Sequence, residues 1–161
     1  MLNGCTFSLP SFVCLSSLTI LKLSRITITC DSSNKSKTLA LNFPALRKYE
    51  ALDCTWSGVK NVTLQVPLLE VVSIKYTLSS PESQVEIKFY ASRIARFCFS
   101  GFTSDTILLD AHSLAFADIV LYDYYKDKKS VQEIEIFIRK LLSINPERLK
   151  LCVIIRAMYL N

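Results

Sequence analysis

The chain has 161 residues, of which 50% are hydrophobic and 20% are charged, and its formal net charge is +5. This length predicts one domain, and the high apolar content excludes an intrinsically disordered chain. The basic residues are scattered rather than clustered, so the charge does not predict a surface that follows nucleic-acid phosphates.

The first 23 residues lack the features of a secretion signal. No charge precedes Lys22, and Pro10 interrupts the apolar residues. No stretch reaches the run of about 18 apolar residues that a membrane-spanning helix needs. We therefore expect a cytoplasmic or nuclear protein with no membrane contact. The six cysteines include no C-x-x-C pair, so we expect reduced, mostly buried thiols and no metal or other cofactor.

A short apolar pattern recurs along the chain. A leucine-like anchor is followed by apolar residues at positions +3 and +5, as in a strand with one buried face. The anchors are Leu18, Leu46, Leu69, Ile94, Leu114 and Leu149. The first four gaps between them, 28, 23, 25 and 20 residues, fall within the period of about 20–29 residues that is typical of leucine-rich repeats.

The residues between the anchors indicate how each unit returns. Pro44 and Pro67 stand just before anchors, where they stop an extended run and turn the chain into the next strand. Residues 62–66, 85–89 and 106–109 form second extended runs, which we assign to the return half of each unit. These features predict an α/β fold, a solenoid with a parallel β-sheet on its concave face and irregular strand or loop returns.

One helix is predicted near residues 131–144. Residues 130–133 read S-x-x-E, the capping box that satisfies free backbone donors at a helix start. Glu135 and Arg139 are four residues apart and can pair across one turn, and Pro146 ends the helix. The predicted apolar face consists of Val131, Ile134, Ile138, Leu141 and Leu142. This inserted helix explains the final anchor gap of 35 residues.

In such a solenoid, positions +2, +4 and +6 point outward from the concave sheet. Several of these side chains are charged or aromatic and are candidates for binding a protein target. The candidates are Lys22, Lys48, Glu50, Lys75, Arg96, Phe116 and Asp118. The last unit offers Leu151, Val153 and Ile155 at the same positions. The alternative interpretation is an ordinary solvated sheet surface.

Catalytic residues are not predicted. His112 is the only histidine, and its neighbours Asp110 and Ser113 are too close in sequence to form a catalytic triad with it. We expect His112 to be a turn residue and the chain not to be an enzyme.

Several phrases resemble the repeat region of plant F-box/leucine-rich-repeat proteins, especially those with a related C-terminal FBD domain. They include residues 14–24, CLSSLTILKLS, and residues 41–54, LNFPALRKYEALDC. The resemblance covers nearly the whole chain. It implies a solenoid that recruits protein targets to a Skp–cullin–F-box ubiquitin ligase.

The chain departs from this family in having no N-terminal F-box. The resemblance therefore describes residues 1–161 as one RNI-like repeat domain truncated at both ends. It implies binding to the Skp adaptor only if an F-box precedes this sequence in the full-length protein. Two alternatives remain open: a stand-alone binding module or non-functional truncated product, and a carbohydrate-active enzyme on a parallel β-helix.

Overall fold

The chain forms mostly parallel β-sheets with very little helix, as seen in a computed structural model. The structure describes residues 5–30, 37–77, 85–101, 106–110, 113–124 and 149–158, together with residues 132, 135–137 and 139. Within these residues there are fourteen strands in three sheets.

The strands are short, and most of them contain four or five residues. In chain order they are β1 (Thr6–Leu9), β2 (Phe12–Cys14), β3 (Ile20–Ser24), β4 (Thr27–Cys30), β5 (Thr38–Asn42), β6 (Lys48–Leu52), β7 (Thr55–Ser57), β8 (Asn61–Gln65), β9 (Val71–Lys75), β10 (Glu86–Tyr90), β11 (Arg96–Gly101), β12 (Thr106–Asp110), β13 (Phe116–Tyr124) and β14 (Lys150–Met158).

The first nine strands enter the three sheets in turn. The three-stranded sheet has the order β1-β4-β7, and the five-stranded sheet has the order β12-β10-β8-β5-β2. The six-stranded sheet has the order β14-β13-β11-β9-β6-β3 and contains the strand that follows each anchor. Neighbouring strands pair in parallel throughout. The runs assigned to the return halves are confirmed as strands β8, β10 and β12, and they are more regular than the expected strand or loop returns.

The strands form because apolar residues alternate with polar ones at a period of two. In β6, Tyr49 and Ala51 are buried while Lys48 and Glu50 are half-buried. The inner residues of all three sheets belong to one hydrophobic core. The Tyr49 ring packs edge-on against Phe89 of the five-stranded sheet, with ring centroids 5.5 Å apart, and this burial raises the pKa of the Tyr49 hydroxyl.

A tight turn leads from the five-stranded sheet into two strands of the six-stranded sheet. The Leu46 amide donates to the Phe43 carbonyl, and the Leu69 amide donates to the Val66 carbonyl, each at 3.0 Å. The prolines after Phe43 and Val66 occupy the second position of these turns, where a fixed φ near −65° is favourable. Both anchor leucines are fully buried, so the predicted role of the two prolines is confirmed.

The predicted inner positions are confirmed for the first five units and wrong for the last. Strand β14 pairs with β13 so that Leu151 lies opposite Ala117 and Val153 opposite Ile119. Leu151 and Val153 therefore lie on the inner side, half-buried, whereas Cys152 is exposed. A one-residue shift exchanges the two faces of a strand. The continuous apolar run 151–155 carries no alternation that would fix the register.

Three smaller expectations also change. Ile155 was expected on the outer side of the sheet. It is exposed, but it lies opposite the fully buried Leu121 and so belongs to the inner side. Ser24, expected to point into solvent, is buried. None of the six cysteines forms a disulfide, but only Cys54 is buried, and desolvation raises the pKa of its thiol. Cys14 and Cys152 are exposed, because they lie on short or terminal strands that few neighbours cover.

The predicted helix is represented by residues 132, 135–137 and 139, which are helical. Arg139 donates to Glu135 at 2.6 Å, which confirms the predicted pair. The Phe137 ring is buried against Phe99, with centroids 5.4 Å apart. The capping residues Ser130 and Glu133 and the predicted apolar face of this helix lie outside the described residues, as does His112.

Candidate partner-binding face

The seven candidate residues all lie on one side of the six-stranded sheet. We call the side turned away from the core the outer face. Cross-strand register brings Lys22 opposite Glu50, Arg96 opposite Phe116, and Cys98 opposite Asp118. Lys48 lies two strands away from Arg96, with Val71 on the strand between them. The anchors stand at equivalent positions before their strands. Pairing of those strands therefore places the candidates on one continuous surface.

Parallel register arranges the outer face in three rows that cross the sheet. The first row contains Ile20, Lys48, Val71, Arg96, Phe116 and Lys150. The second row contains Lys22, Glu50, Ser73, Cys98, Asp118 and Cys152. The third row contains Ser24, Leu52, Lys75, Ser100, Val120 and Ile154. Tyr122 and Arg156 extend this face beyond the third row.

Glu50 is shared by two ammonium groups at one end of the face. Its carboxylate accepts from Lys48 Nζ at 2.6 Å and from Lys22 Nζ at 2.9 Å. These two contacts hold the pKa of Glu50 below its usual value. One carboxylate cannot neutralise two cations, so this cluster retains a positive charge.

Arg96 has an aromatic neighbour rather than an acidic one. Its guanidinium carbon lies 5.0 Å from the centre of the Phe116 ring on the next strand. An arginine within about 6 Å of a ring is attracted to the ring's negative face. The pair forms a charged and apolar platform in the first row, of the kind that recurs at the centres of protein interfaces.

A shallow depression opens at the other end of the face, with a cavity volume of about 210 Å³. Lys75, Asp118 and Arg156 bring charge to its lining. Ser100 Oγ donates to the Tyr122 hydroxyl at 3.0 Å on one wall. Neither Lys75 nor Arg156 forms an ion pair with another residue that the structure describes.

The outer face carries an excess of positive charge. Among the described residues it presents six cations against two carboxylates, which leaves a surplus of four positive charges. The cations are Lys22, Lys48, Lys75, Arg96, Lys150 and Arg156, and the carboxylates are Glu50 and Asp118. The chain as a whole has a net charge of +5, so much of the imbalance lies on this one surface.

Sequence reasoning missed two of these cations, Lys150 and Arg156. The shifted register of the last unit selected Leu151, Val153 and Ile155 in their place. In the observed register, the anchor position is three residues before Leu151, at position 148, which is an arginine. Because the pattern requires an apolar anchor, the prediction placed the anchor at Leu149. The signal that could have identified the correct register is the spacing of Lys150 and Arg156, whose charges six residues apart share one side of a strand.

The part of the chain that the structure describes holds no candidate metal site and no membrane-spanning helix. No group of three histidine, cysteine, aspartate or glutamate side chains comes together there to hold a metal ion. The described helical residues include no helix that is long and apolar enough to cross a membrane. Comparison with protein-family models, with curated proteins and with solved structures yields no match to this chain.

Proposed function

We propose that this chain is a binding scaffold that holds an acidic protein partner on the outer face of its six-stranded sheet. The surplus of four positive charges on that face is the observation that carries the proposal. Complementary charge between two protein surfaces speeds their encounter and disfavours partners of the wrong sign. The Arg96–Phe116 platform adds an apolar contact of the kind that provides affinity.

The architecture that we propose is a leucine-rich-repeat solenoid with this face on its concave side. Three features support it: the parallel order of the six-stranded sheet, the recurrence of anchors at intervals of 20–28 residues over the first five units, and the burial of the central anchors. Stacked units of this kind bury a continuous core and leave an extended surface for a partner.

A role in ubiquitin ligation is part of the proposal. The resemblance to plant F-box/leucine-rich-repeat proteins suggests that the partner is a target for ubiquitination. Assembly with the Skp adaptor would require an F-box outside this sequence. Without one, the same face would serve a stand-alone binding module.

A second candidate is a parallel β-helix enzyme acting on carbohydrate. Strands β1 to β9 enter the three sheets in turn, so each unit contributes three strands. This favours the second candidate, because parallel β-helices have several strands in each coil. Such an enzyme needs acidic residues grouped at matched positions. Asp110 lies in the five-stranded sheet and Asp118 in the six-stranded sheet, so the strands that carry these two acids are in different sheets. We therefore favour the binding scaffold.

Affinity capture with a matched pair of double variants tests the proposal. The face variant carries Lys22→Glu and Arg96→Glu, both outside the depression. The control carries Lys60→Glu and Arg93→Glu, which make the same charge change at exposed positions off the sheet face. The full chain serves as bait, captured proteins are identified by mass spectrometry, and the affinity of each is then measured.

We expect the face variant to bind the partner at least tenfold more weakly than wild type, and the control to bind it normally. Equal binding by the two variants would overturn the assignment of the face. Recovery of Skp and cullin subunits with the native protein would support the ligase role. A complex lacking both would leave the stand-alone module.

A further inference from the structure

The depression on the outer face lies between two cations on different strands. Lys75 comes from β9 and Arg156 from β14, with β11 and β13 between these strands in the sheet. The remaining wall includes the hydrogen-bonded Ser100 and Tyr122 hydroxyls. Because four neighbouring strands supply the lining, parallel register fixes the spacing of its charged groups.

The charges of the lining do not balance. Lys75 and Arg156 contribute two positive charges and Asp118 one negative charge, so the depression carries one surplus positive charge. Neither cation is paired with a described carboxylate elsewhere, in contrast to Lys22 and Lys48, which share Glu50. A cation without an acidic partner is available to an anion from outside.

The size of the depression restricts what can enter. Its volume of about 210 Å³ is smaller than the roughly 300–1,000 Å³ of sites that enclose cofactors or drug-sized ligands. It is also open to solvent along the sheet face. A single side chain projecting from a docked polypeptide satisfies both conditions.

We propose that this depression receives one carboxylate side chain, aspartate or glutamate, from the acidic partner. The inference rests on the proposed function and specifies how the partner is recognised. The Arg156 guanidinium provides paired donors that match the two oxygens of a carboxylate, and Lys75 provides a point charge from the opposite side. The lining has one surplus positive charge, so a group with one negative charge balances it.

Asp118 is the residue that selects a carboxylate over a phosphate. A phosphorylated side chain carries a charge between about −1.5 and −2 at neutral pH. Such a group would leave the filled depression with a net negative charge beside the Asp118 carboxylate, whereas a carboxylate side chain leaves it neutral. Replacing Asp118 should therefore shift the preference toward phosphate.

Three synthetic pentapeptides provide the probes: acetyl-Gly-Gly-X-Gly-Gly-amide, in which X is glutamate, glutamine or phosphoserine. Each is titrated into the full isotope-labelled chain, and the backbone amide chemical shifts are followed. The variants are Lys75→Met, Arg156→Met and Asp118→Asn. The control is Lys60→Met, which removes an exposed cation that lies off the sheet face.

With wild type we expect saturable shifts with the glutamate peptide in residues 73–75, 98–100 and 118–122, and none with the glutamine peptide. Lys75→Met and Arg156→Met should each weaken binding at least fivefold, and Lys60→Met less than twofold. Asp118→Asn should raise the affinity for the phosphoserine peptide above that for the glutamate peptide.

Two outcomes would overturn the inference. One is tighter binding of phosphoserine than of glutamate by wild type, and the other is equal weakening by all three cation variants, which indicates only diffuse charge. Neither outcome affects the capture experiment, whose variants lie outside the depression. If the face variant there still loses its partner, the scaffold stands and only the carboxylate site fails.

Discussion

The first five anchor residues, which precede strands of the six-stranded sheet, occupy equivalent positions but differ in burial. Leu46, Leu69, Ile94 and Leu114, in the middle of the sheet, are fully buried. Leu18, before the end strand β3, is only partly buried against the same core. The local motif is the same, so the difference arises from the neighbours: a central unit is covered on both sides and an end unit on one.

The largest effect should come from truncating a central anchor. We expect Leu69→Ala to lower the free energy of unfolding by about 2–5 kcal/mol, since it removes fully buried methyl groups and leaves a cavity between two covered neighbours. Urea denaturation followed by circular dichroism measures this change. A loss below about 1 kcal/mol would contradict the burial of this position.

The same substitution at the end of the sheet should cost less. Leu18→Ala removes a side chain that is already partly in water, so we expect a loss of about 1–2 kcal/mol. The two leucine variants are matched in chemistry and in repeat position. Equal losses would mean that the first unit is as well covered as the third, which would remove the distinction between centre and end.

A smaller effect should come from the ion pair that joins the end strand β3 to β6. Glu50 accepts from Lys22 and Lys48, and its pKa is held below the ordinary value of 4.5. A lowered carboxyl pKa contributes stability above that value, and the contribution is lost as the pH falls through the folded-state pKa.

We therefore expect Glu50→Gln to be at most about 1 kcal/mol less stable than wild type at pH 7, because these side chains are partly in contact with water. The difference should shrink as the pH falls below the ordinary value of 4.5, and vanish once the pH is below the lowered folded-state pKa, where both proteins are neutral at this position. Denaturation curves at several pH values measure it. A difference that grows in acid would contradict the assignment.

The smallest effect on stability should come from the exposed edge itself. Ile20 on β3 is 52% exposed, and an apolar edge strand promotes association with other chains. We expect Ile20→Glu to change the free energy of unfolding by no more than about 0.5 kcal/mol, and to reduce self-association in light scattering. Gln65→Glu, on the interior strand β8, adds the same charge and should not reduce self-association.

The strands and their faces were largely predictable from the sequence, because alternation at a period of two carries that information directly. Tyr49 and Ala51 in β6 show it clearly. The predicted register of β14 is wrong, because residues 151–155 are all apolar and an arginine stands at the anchor position. There the register is fixed by pairing with β13, which no local pattern encodes.

The candidate site was predicted in part for a related reason. Seven residues were correctly grouped on one face, since anchors in equivalent positions imply cross-strand neighbours. The depression could not be predicted, because it depends on side chains from four strands and on the register of the last one. Arg156 became a candidate only after that register was known.

The parallel pairing also has a consequence for how the chain folds. Each strand of the six-stranded sheet pairs with the next strand of that sheet along the chain, as Lys48 does with Val71 and Arg96 with Phe116. No pairing in this sheet joins distant ends of the sequence, so the loop-closure entropy of each new strand is similar and modest. Ordering can therefore start at any pair of central strands and spread to the neighbouring strands one at a time.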